Sequence, residues 1–295
     1  MRMRTIDEDT ITQAVIARHA QARDARQREL MTSLVQHLHA FTREVRLNEA
    51  EWEAGIRFLT ETGQLCDRQR QEFILLSDVL GLSMLVTALN DRKPAGCTEA
   101  TVPGPFQVDG APHYENGVDM ANSAQGEPCF VRGRVSALDG TPVAGAQVEV
   151  WPSDSEGLYD LQHAGQTAQR ARGVLRSAAD GSFHFRSMLA EPYLIPHDGP
   201  VGRLLAQLGR HPWRPAHLHF RIDAPGYERL TTHVFRSGGK YLDSDAVFGV
   251  RRSLVADWLR HEAGATPDGG HSDKPFYTLD FSFVLNRART ATGAQ

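Results

Sequence analysis

Three features are scarce in this sequence: long apolar runs, an excess of one charge, and cysteine. No stretch approaches the ~20 apolar residues of a membrane-spanning helix, and the mostly polar segment Met1 to Asp9 does not resemble a secretory signal peptide. The formal net charge of −4 at pH 7 does not favour a nucleic-acid-binding protein, which is usually basic. Cys66, Cys97 and Cys129 are odd in number and lack Cys-x-x-Cys spacing. We therefore expect free thiols in a reducing compartment, by default the cytoplasm.

The residues that are present can build a full hydrophobic core. The chain has 295 residues, of which 41% are hydrophobic and 23% charged, as in a globular protein of one large domain or two ordinary ones. Up to about residue 93 the apolar residues recur at three- and four-residue steps, which predicts helices. The predicted helices begin near Ile11, cover 30–45, run from a capping box at Asn48 and Glu51 to Gly63, and span 68–87.

After Pro128 the apolar period becomes two, which predicts strands. The candidate strands are 130–138, 146–151, 183–188, 217–222, 230–235 and 277–285. Asp-Gly pairs at 139–140 and 180–181 are typical of hairpin turns, and the apolar residues of 253–261 predict one helix. Short strands separated by turns favour an antiparallel β-sandwich. We therefore expect an α+β protein with a helical part over 1–93, a Pro- and Gly-rich connector over 94–128 and a β-sandwich over 129–295.

His217 and His219 are the first candidates for a functional site. They lie two residues apart in a predicted strand, and because a strand has a side-chain period of two, both imidazoles point to one face. Two imidazoles on one rigid face suit a metal ion, although a polar pair at a sheet edge would have the same spacing. Arg214 lies three residues earlier, where its cation could meet an anionic substrate.

The remaining metal ligands stay open when the residues are considered alone. Asp154, Asp160 or Asp198 would complete a two-histidine, one-carboxylate site for ferrous iron. Tyr159 and Tyr193 are the unusual alternative. A phenol has a pKa of about 10 and seldom binds a metal other than a strong Lewis acid such as ferric iron.

Three motifs taken together resemble the intradiol ring-cleaving dioxygenases. They are Gly-Leu-Tyr-Asp at 157–160, Tyr-x-Ile-Pro-x-Asp-Gly-Pro-Val-Gly at 193–202 and Arg-His-Pro-Trp-Arg-Pro-Ala-His-Leu-His-Phe at 210–220. The similarity extends to 37–41, 71–78 and 241–248, so it covers nearly the whole chain.

This resemblance implies one ferric ion per subunit, held by Tyr159, Tyr193, His217 and His219. It also implies that Tyr193 leaves the iron and helps to take a substrate proton, and that Arg214 stabilises negative charge on the substrate ring. Members of the family form dimers through their N-terminal helices, often with a phospholipid between the subunits. A homodimer that can hold a phospholipid is therefore the expectation for this chain.

The resemblance further implies an aromatic diol or triol substrate, which O2 cleaves between two adjacent hydroxylated carbons. Leu75 with Asp78 resembles the pocket of the hydroxyquinol enzymes, in which the acid accepts a hydrogen bond from the third hydroxyl. The segment 231–235 lacks the glutamine that catechol enzymes usually carry. We favour hydroxyquinol, with catechol or chlorocatechol as the alternative. The expected substrate-binding residues are Leu75, Asp78, Val102, Pro103, Gly104, Ile195, Pro196, Arg214 and Val247.

Two other classes of function remain open at this level. The β part could be a metal-free binding module with Tyr159 and Tyr193 in its core. The protein could also be a zinc or ferrous enzyme with Asp160 or Asp198 as a ligand. Tyrosinate bound to ferric iron absorbs visible light, so colour separates both alternatives from the ferric site.

Overall fold

The computed structural model describes residues 6–68, 70–104, 106–121, 124, 126–163 and 171–288, and of Leu161 only the backbone. The chain divides into two compact units, Met1–Glu61 and Thr62–Gln295. The predicted division at 93 and 128 stays a proposal. Most of the described helices precede the strands in the chain, which confirms the predicted α+β class.

The helices of the first unit begin and end at residues that satisfy the free backbone groups. Asp24 accepts hydrogen bonds from the backbone N–H groups of Arg26 and Gln27 at 2.7 and 3.2 Å, which is an N-cap. The predicted capping box is confirmed, because Asn48 and Glu51 each accept from the other's backbone N–H at 3.0 Å. The elements are α1 (Ile11–Arg18), a short 3₁₀ helix (His19–Gln21), α2 (Ala25–Val45) and α3 (Glu49–Gln64), whose end belongs to the second unit.

The second unit contains α4 (Glu72–Val79), α5 (Leu82–Asn90) and α6 (Pro200–Gln207) among its described residues. The prediction of one helix over 68–87 is wrong, because Gly81 adopts φ 74° and ends the first helix before the second begins. No single helix in the described part of the chain has the length and apolar character to cross a membrane. The pair α4 and α5, with a bend of 77° between the two helices, reaches that length and apolar character only when both are counted together.

Thirteen strands lie within the described residues. They are β1 (Pro128–Ala137), β2 (Gln147–Pro152), β3 (Gly173–Arg176), β4 (Ser182–Met188), β5 (Tyr193–Leu194), β6 (Trp213–Arg214), β7 (His217–Asp223), β8 (Leu230–Arg236), β9 (Val255–Ala256), β10 (Trp258–His261), β11 (Gly264–Ala265), β12 (His271–Ser272) and β13 (Phe276–Leu285). All six predicted strands are confirmed to within two residues at each end.

The strands form a sandwich of two mixed sheets. One sheet has the order β10-β13-β1-β4 and the other β3-β2-β7-β8-β9, beside the two-stranded ribbons β5-β6 and β11-β12. The ring of Phe220 packs between the sheets, with its centroid 6.3 Å from that of Phe183 and 4.7 Å from that of Phe283. The sandwich prediction is confirmed, but the prediction of purely antiparallel strands is wrong. Strands β1 and β13 run parallel, and so do β8 and β9.

The prediction of a helix over 253–261 is wrong. Only Arg252–Leu254 is helical, as one 3₁₀ turn, and the chain then continues as β9 and β10. Trp258 is buried opposite Leu279 of β13, whereas its neighbour Leu259 is 56% exposed. The segment extends the edges of both sheets, and a short apolar pattern cannot separate this from a helix.

The segment before the sandwich lies along the edges of the sheets. Backbone hydrogen bonds join Thr98 to Val284, Thr101 to Thr231 and Met120 to Arg186 at 2.8–3.0 Å. Residues 101–104 are held beside β8 in this way, where they can form a wall.

Candidate active site

His217 and His219 point away from the sandwich core, on one face of β7. The alternate residues Leu218, Phe220 and Ile222 face the core, as the period of two predicts. The two histidines are 1% exposed, and their Nε2 atoms lie 3.1 Å apart. The prediction that both imidazoles share a face is therefore confirmed.

The protonation of His217 follows from its surroundings. Its Nδ1 donates a hydrogen bond to the carbonyl of Pro215 at 2.8 Å, which leaves an electron pair on Nε2 in the neutral ring. Burial, followed by the nearby charge of Arg214, lowers the pKa of His217 to about 3. Burial and the neighbouring His217 lower the pKa of His219 well below its usual value. Both rings are therefore neutral at pH 7 and can act as ligands.

Tyr159 reaches the histidines from the turn that follows β2. Asp154 shapes this turn by accepting hydrogen bonds from the backbone N–H groups of Glu156 and Leu158 at 2.9 and 3.0 Å. The hydroxyl of Tyr159 lies 2.8 Å from Nε2 of His219. The ring of Phe106 stacks on Tyr159 with centroids 4.3 Å apart, so the phenol is held in one orientation.

Tyr193 and Arg214 are brought together by the ribbon of β5 and β6. The two residues are paired directly across this ribbon, and Nη1 of Arg214 donates to the hydroxyl of Tyr193 at 3.0 Å. The ring of Tyr193 lies perpendicular to that of Tyr159, with centroids 5.1 Å apart. Tyr193 and Arg214 are both buried.

The donor atoms of His217, His219 and Tyr159 lie close enough together to fit one metal ion. The Nε2 atoms of His217 and His219 lie 3.1 Å apart, and the hydroxyl oxygen of Tyr159 lies 2.8 Å from Nε2 of His219. Lone pairs at such distances repel each other unless a proton or a cation lies between them. Burial raises the pKa of Tyr159 well above its usual value, and the nearby Tyr193 raises it further. A metal that displaces this proton must therefore be a strong Lewis acid.

The carboxylates considered as ligands are bound elsewhere. Asp154 lies 2.6 Å from Nε2 of His163, and Asp160 pairs with Arg172 at 2.7 Å. Asp198 is 75% exposed and pairs with Arg70. Within the described residues, the metal-competent group of histidine, cysteine and carboxylate side chains consists of His217, His219 and His233. No aspartate belongs to it.

A cavity of about 160 Å³ lies against Tyr193 and Arg214. A cavity of about 150 Å³ holds one benzene molecule, so this space suits a single aromatic ring. Its walls include most of the residues expected to bind substrate, namely Leu75, Asp78, Val102, Gly104, Ile195, Pro196, Arg214 and Val247, together with Phe106. Pro103 is exposed and is not among the described lining residues.

Asp78 contributes a carboxylate to this largely apolar wall. It lies on α4 one turn after Leu75, so both side chains face the cavity. Asp78 is 7% exposed, and burial raises its pKa, against the opposing effects of a hydrogen bond from Ser83 and the charge of Arg214. A buried carboxylate beside a ring-sized space is a hydrogen-bond acceptor for a polar ring substituent.

Two residues that support the site carried no prediction of their own. Asp245 binds the guanidinium of Arg214, and Arg172 binds Asp160 and the carbonyl of Phe106 at 2.7–2.8 Å. Asp245 lies in the segment 241–248, which the family resemblance includes without a role. Arg172 has no local signal, because its partners are 12 and 66 residues away.

Comparisons with known proteins agree along nearly the whole chain. The family described as Dioxygenase matches residues 102–287, and the one described as Catechol dioxygenase N terminus matches residues 24–98. A 6-chlorohydroxyquinol 1,2-dioxygenase of Cupriavidus pinatubonensis is 62% identical over 284 residues, which cover 96% of this chain and 99% of that protein. A hydroxyquinol 1,2-dioxygenase of Nocardioides simplex is 50% identical, with 94% and 95% covered. The crystal structure of hydroxyquinol 1,2-dioxygenase from Pseudomonas putida DLL-E4 matches with a TM-score of 0.90 and 45% identity, with 95% of this chain and 99% of that chain covered.

Proposed function

The chain belongs to the intradiol ring-cleaving dioxygenase family, and we propose that it cleaves hydroxyquinol (1,2,4-trihydroxybenzene) with O2. The cleaved bond joins the two adjacent hydroxylated carbons, and both oxygen atoms enter the product, 3-hydroxy-cis,cis-muconate or its keto form maleylacetate. The observation that carries this choice is Asp78, a buried carboxylate in an otherwise mostly apolar, ring-sized cavity. A site built to pair with a hydroxyl discriminates strongly against a substrate that lacks it. Catechol and chlorocatechol are the alternative substrates.

The proposed cofactor is one ferric ion per subunit, with Tyr159, Tyr193, His217 and His219 as its ligands. The buried phenols support this choice, because only a strong Lewis acid takes the place of their protons at neutral pH. Ferric iron, when bound, would acidify the substrate hydroxyls and draw electron density from the ring.

The side chains around the cavity have separate roles in this proposal. Tyr193 lines the cavity, and as a tyrosinate it would accept a substrate proton on its phenolate oxygen. The hydroxyl formed in this way is the group that accepts a hydrogen bond from Arg214 at 3.0 Å. The guanidinium of Arg214 stabilises the negative charge that develops on the ring. Leu75, Val102, Ile195, Pro196 and Val247 exclude water and hold the ring flat between them. Gly104 belongs to the same wall and approaches the ring of His219, whereas the expected substrate residue Pro103 is exposed beside it.

A homodimer with a bound phospholipid is part of the proposal. Apolar side chains that are 40–53% exposed line one face of α2, namely Leu30, Met31, Leu34, Leu38, Phe41 and Val45. A continuous apolar face of this kind suits a second copy of the helix. The residues that line a cavity of about 950 Å³ in the first unit include Arg43, Arg46 and Trp52. The two arginines suit the phosphate group of a phospholipid, and the tryptophan suits its acyl chains. The three free cysteines support the cytoplasm as the location.

The visible spectrum of the purified protein tests the proposal. It is recorded without air, before and after addition of hydroxyquinol, and with catechol in a second sample. We expect a broad tyrosinate-to-iron band that shifts to longer wavelength with either diol. On admission of air, we expect rapid turnover of hydroxyquinol and slow turnover of catechol.

Each part of the proposal has its own contrary result. Iron-loaded protein without a visible band would contradict the tyrosinate ligands. Faster turnover of catechol than of hydroxyquinol would replace the proposed substrate by the alternative. Elution of the native protein as a monomer in size-exclusion chromatography would contradict the homodimer.

A further inference from the structure

His233 is a third histidine beside the proposed metal ligands. It lies on β8 directly opposite His219 of β7 in the antiparallel register. Its ring is perpendicular to that of His219, with centroids 4.2 Å apart, and 4.5 Å from that of His217. His233 is fully buried. Directly opposite residues of an antiparallel pair are close enough for their side chains to interact.

Two nitrogen atoms of this pair have no partner among the described residues. They are Nδ1 of His219 and Nε2 of His233, both fully buried. A buried polar atom without a hydrogen bond is destabilising, so we expect these two atoms, which lie on facing side chains, to share a partner. One ring nitrogen of each of the three histidines lies within 4.8 Å of the other two.

The proposed metal site decides which of the two atoms carries a proton. If Nε2 of His219 binds a metal, the proton of the neutral ring must be on Nδ1. That N–H then requires an acceptor, as His217 has in the carbonyl of Pro215. Nδ1 of His233 lies 3.0 Å from the hydroxyl of Thr101. If it donates to that oxygen, Nε2 of His233 is an acceptor.

We propose that His233 is a positioning residue that accepts a hydrogen bond from Nδ1–H of His219, directly or through one water molecule. This inference rests on the proposed metal ligands. The hydrogen bond holds His219 in the tautomer whose Nε2 faces the metal, and it increases the donor strength of that nitrogen. The opposite side of His219 is occupied by Trp151, stacked at 4.9 Å.

The same residue joins the metal ligand to the substrate wall. Thr101, the partner of His233, also donates its backbone N–H to Thr231 at 3.0 Å. The wall residue Val102 follows Thr101 directly, and Gly104 lies two residues further along the chain. A Cβ atom on Gly104 would lie 3.5 Å from the ring of His219. His233 therefore fixes the wall and the ligand relative to each other.

Three variants separate the hydrogen bond from packing. His233→Gln keeps a group that can donate to Thr101 and accept from His219, whereas His233→Leu fills similar space without polar atoms. Val234→Ala is the matched control, because Val234 is the next residue of β8 and faces the sandwich core. For each protein we would measure the thermal unfolding of the iron-free form, the affinity for Fe³⁺, the visible band and the Fe³⁺/Fe²⁺ midpoint potential.

We expect His233→Leu to bind Fe³⁺ about 10- to 100-fold more weakly than the wild type. Its potential should rise, because a weaker nitrogen donor stabilises the ferric state less. His233→Gln should restore most of the affinity and potential. Val234→Ala should unfold at a lower temperature with affinity and potential unchanged.

Several results would overturn the inference. Wild-type affinity and potential in His233→Leu would mean that His233 only packs. Equal losses in His233→Gln and His233→Leu would mean that ring shape matters rather than the hydrogen bond. A wild-type protein that binds Fe³⁺ without a tyrosinate band would overturn the proposed function together with this inference, whereas a normal wild-type band would confine the failure to His233.

A measurement on the wild type covers the case in which His233→Leu does not fold. Protein labelled with ¹⁵N in its histidines is loaded with diamagnetic Ga³⁺, and long-range ¹H–¹⁵N spectra assign the tautomers. Protonated Nδ1 on both His219 and His233 supports the inference. Protonated Nε2 on His233 overturns it.

Discussion

Arg214, which lines the cavity, forms a bidentate ion pair with Asp245. Nε and Nη2 of Arg214 donate to Oδ1 and Oδ2 of Asp245 at 3.0 and 3.2 Å, and the side chains are 3% and 2% exposed. Asp245 also accepts from the backbone N–H of Gly249 at 2.8 Å. Burial opposes its ionisation, yet Arg214 holds the pKa of Asp245 below its usual value. The pair leaves Nη1 of Arg214 free to meet Tyr193, so the carboxylate decides where the guanidinium points.

The first prediction concerns this pair. Arg214→Lys keeps a charge but loses the planar fork, and Asp245→Asn keeps the shape but loses the carboxylate charge. We expect each change to lower kcat for hydroxyquinol by about 10²–10³-fold, the usual loss when an aligned donor to a developing charge is removed. Steady-state kinetics measure this. Because both act through one contact, the double variant should lose much less than the product of the two single losses. If the loss in the double variant equalled the product of the two single losses, the two residues would not share one role.

The second prediction concerns Tyr159. In Tyr159→Phe we expect the affinity for Fe³⁺ to fall by more than about 100-fold, because loss of an outer partner alone costs 10- to 100-fold. The visible band should weaken accordingly. Iron titration followed by absorbance measures both. Tyr227→Phe is the control, since Tyr227 packs on the sandwich core beneath Arg287. An unchanged band in Tyr159→Phe would assign the colour to another residue.

The third prediction concerns substrate choice at Asp78. In Asp78→Leu we expect kcat/KM for hydroxyquinol to fall by about 10- to 100-fold, which corresponds to about 1.5–3 kcal/mol for one hydrogen bond to a charged group. Catechol has no third hydroxyl, so its kcat/KM should stay constant or rise. Asp78→Asn, which retains an acceptor oxygen, should lie between the two. A parallel loss with both substrates would mean that Asp78 supports the structure of the wall rather than selectivity.

The fourth prediction is a dependence of stability on pH. The pKa of Asp78 is raised above its usual 3.8, chiefly by burial, so the native state binds this proton more tightly than the unfolded state. The stability of the wild type relative to Asp78→Asn should therefore fall as pH rises from 3.8 towards the raised pKa, and then remain constant. Urea unfolding of both proteins between about pH 4 and pH 8 measures the difference. A difference that grows in favour of the wild type with rising pH would have the wrong sign.

The fifth prediction concerns the buried pair of Arg172 and Asp160. Their side chains are 0% and 4% exposed, so Arg172→Met removes the cation that faces the buried carboxylate of Asp160, next to Tyr159. We expect a loss of about 3–5 kcal/mol in the free energy of unfolding, measured in urea. Arg132→Met is the matched control, because Arg132 and Asp280 form a pair with both side chains 58% exposed. That change should cost at most about 1 kcal/mol. Similar losses in the two variants would contradict the role given to burial.

Predictions from the sequence were correct where the pattern is local. The alternation in 217–222 predicts both the strand and the shared face of His217 and His219, because side-chain direction in a strand depends only on the parity of position. The segment 253–261 shows the limit of the same method. Its apolar residues fit a helix as well as a strand, and pairing with β8 and β13 decided the outcome.

Supporting contacts could not be predicted, because they join distant positions. The pairing of Tyr193 with Arg214 requires the ribbon of β5 and β6, and Arg172 meets Phe106 across 66 residues. His233 faces His219 only because of the register of β7 and β8. A shift of one residue would turn His233 to the other face of the sheet.

The sequence by itself determined the α+β class, the strands of the sandwich and the family, and it supplied the side chains that are proposed to bind the metal and the substrate ring. These properties follow from periodicity and motifs, which are visible within short stretches of the chain. Only the tertiary structure decided which carboxylates are already paired, where Asp78 lies relative to the cavity, and which buried nitrogen atoms lack a partner. Burial, and with it the cost of an unpaired charge or hydrogen bond, depends on what the rest of the chain packs against each side chain.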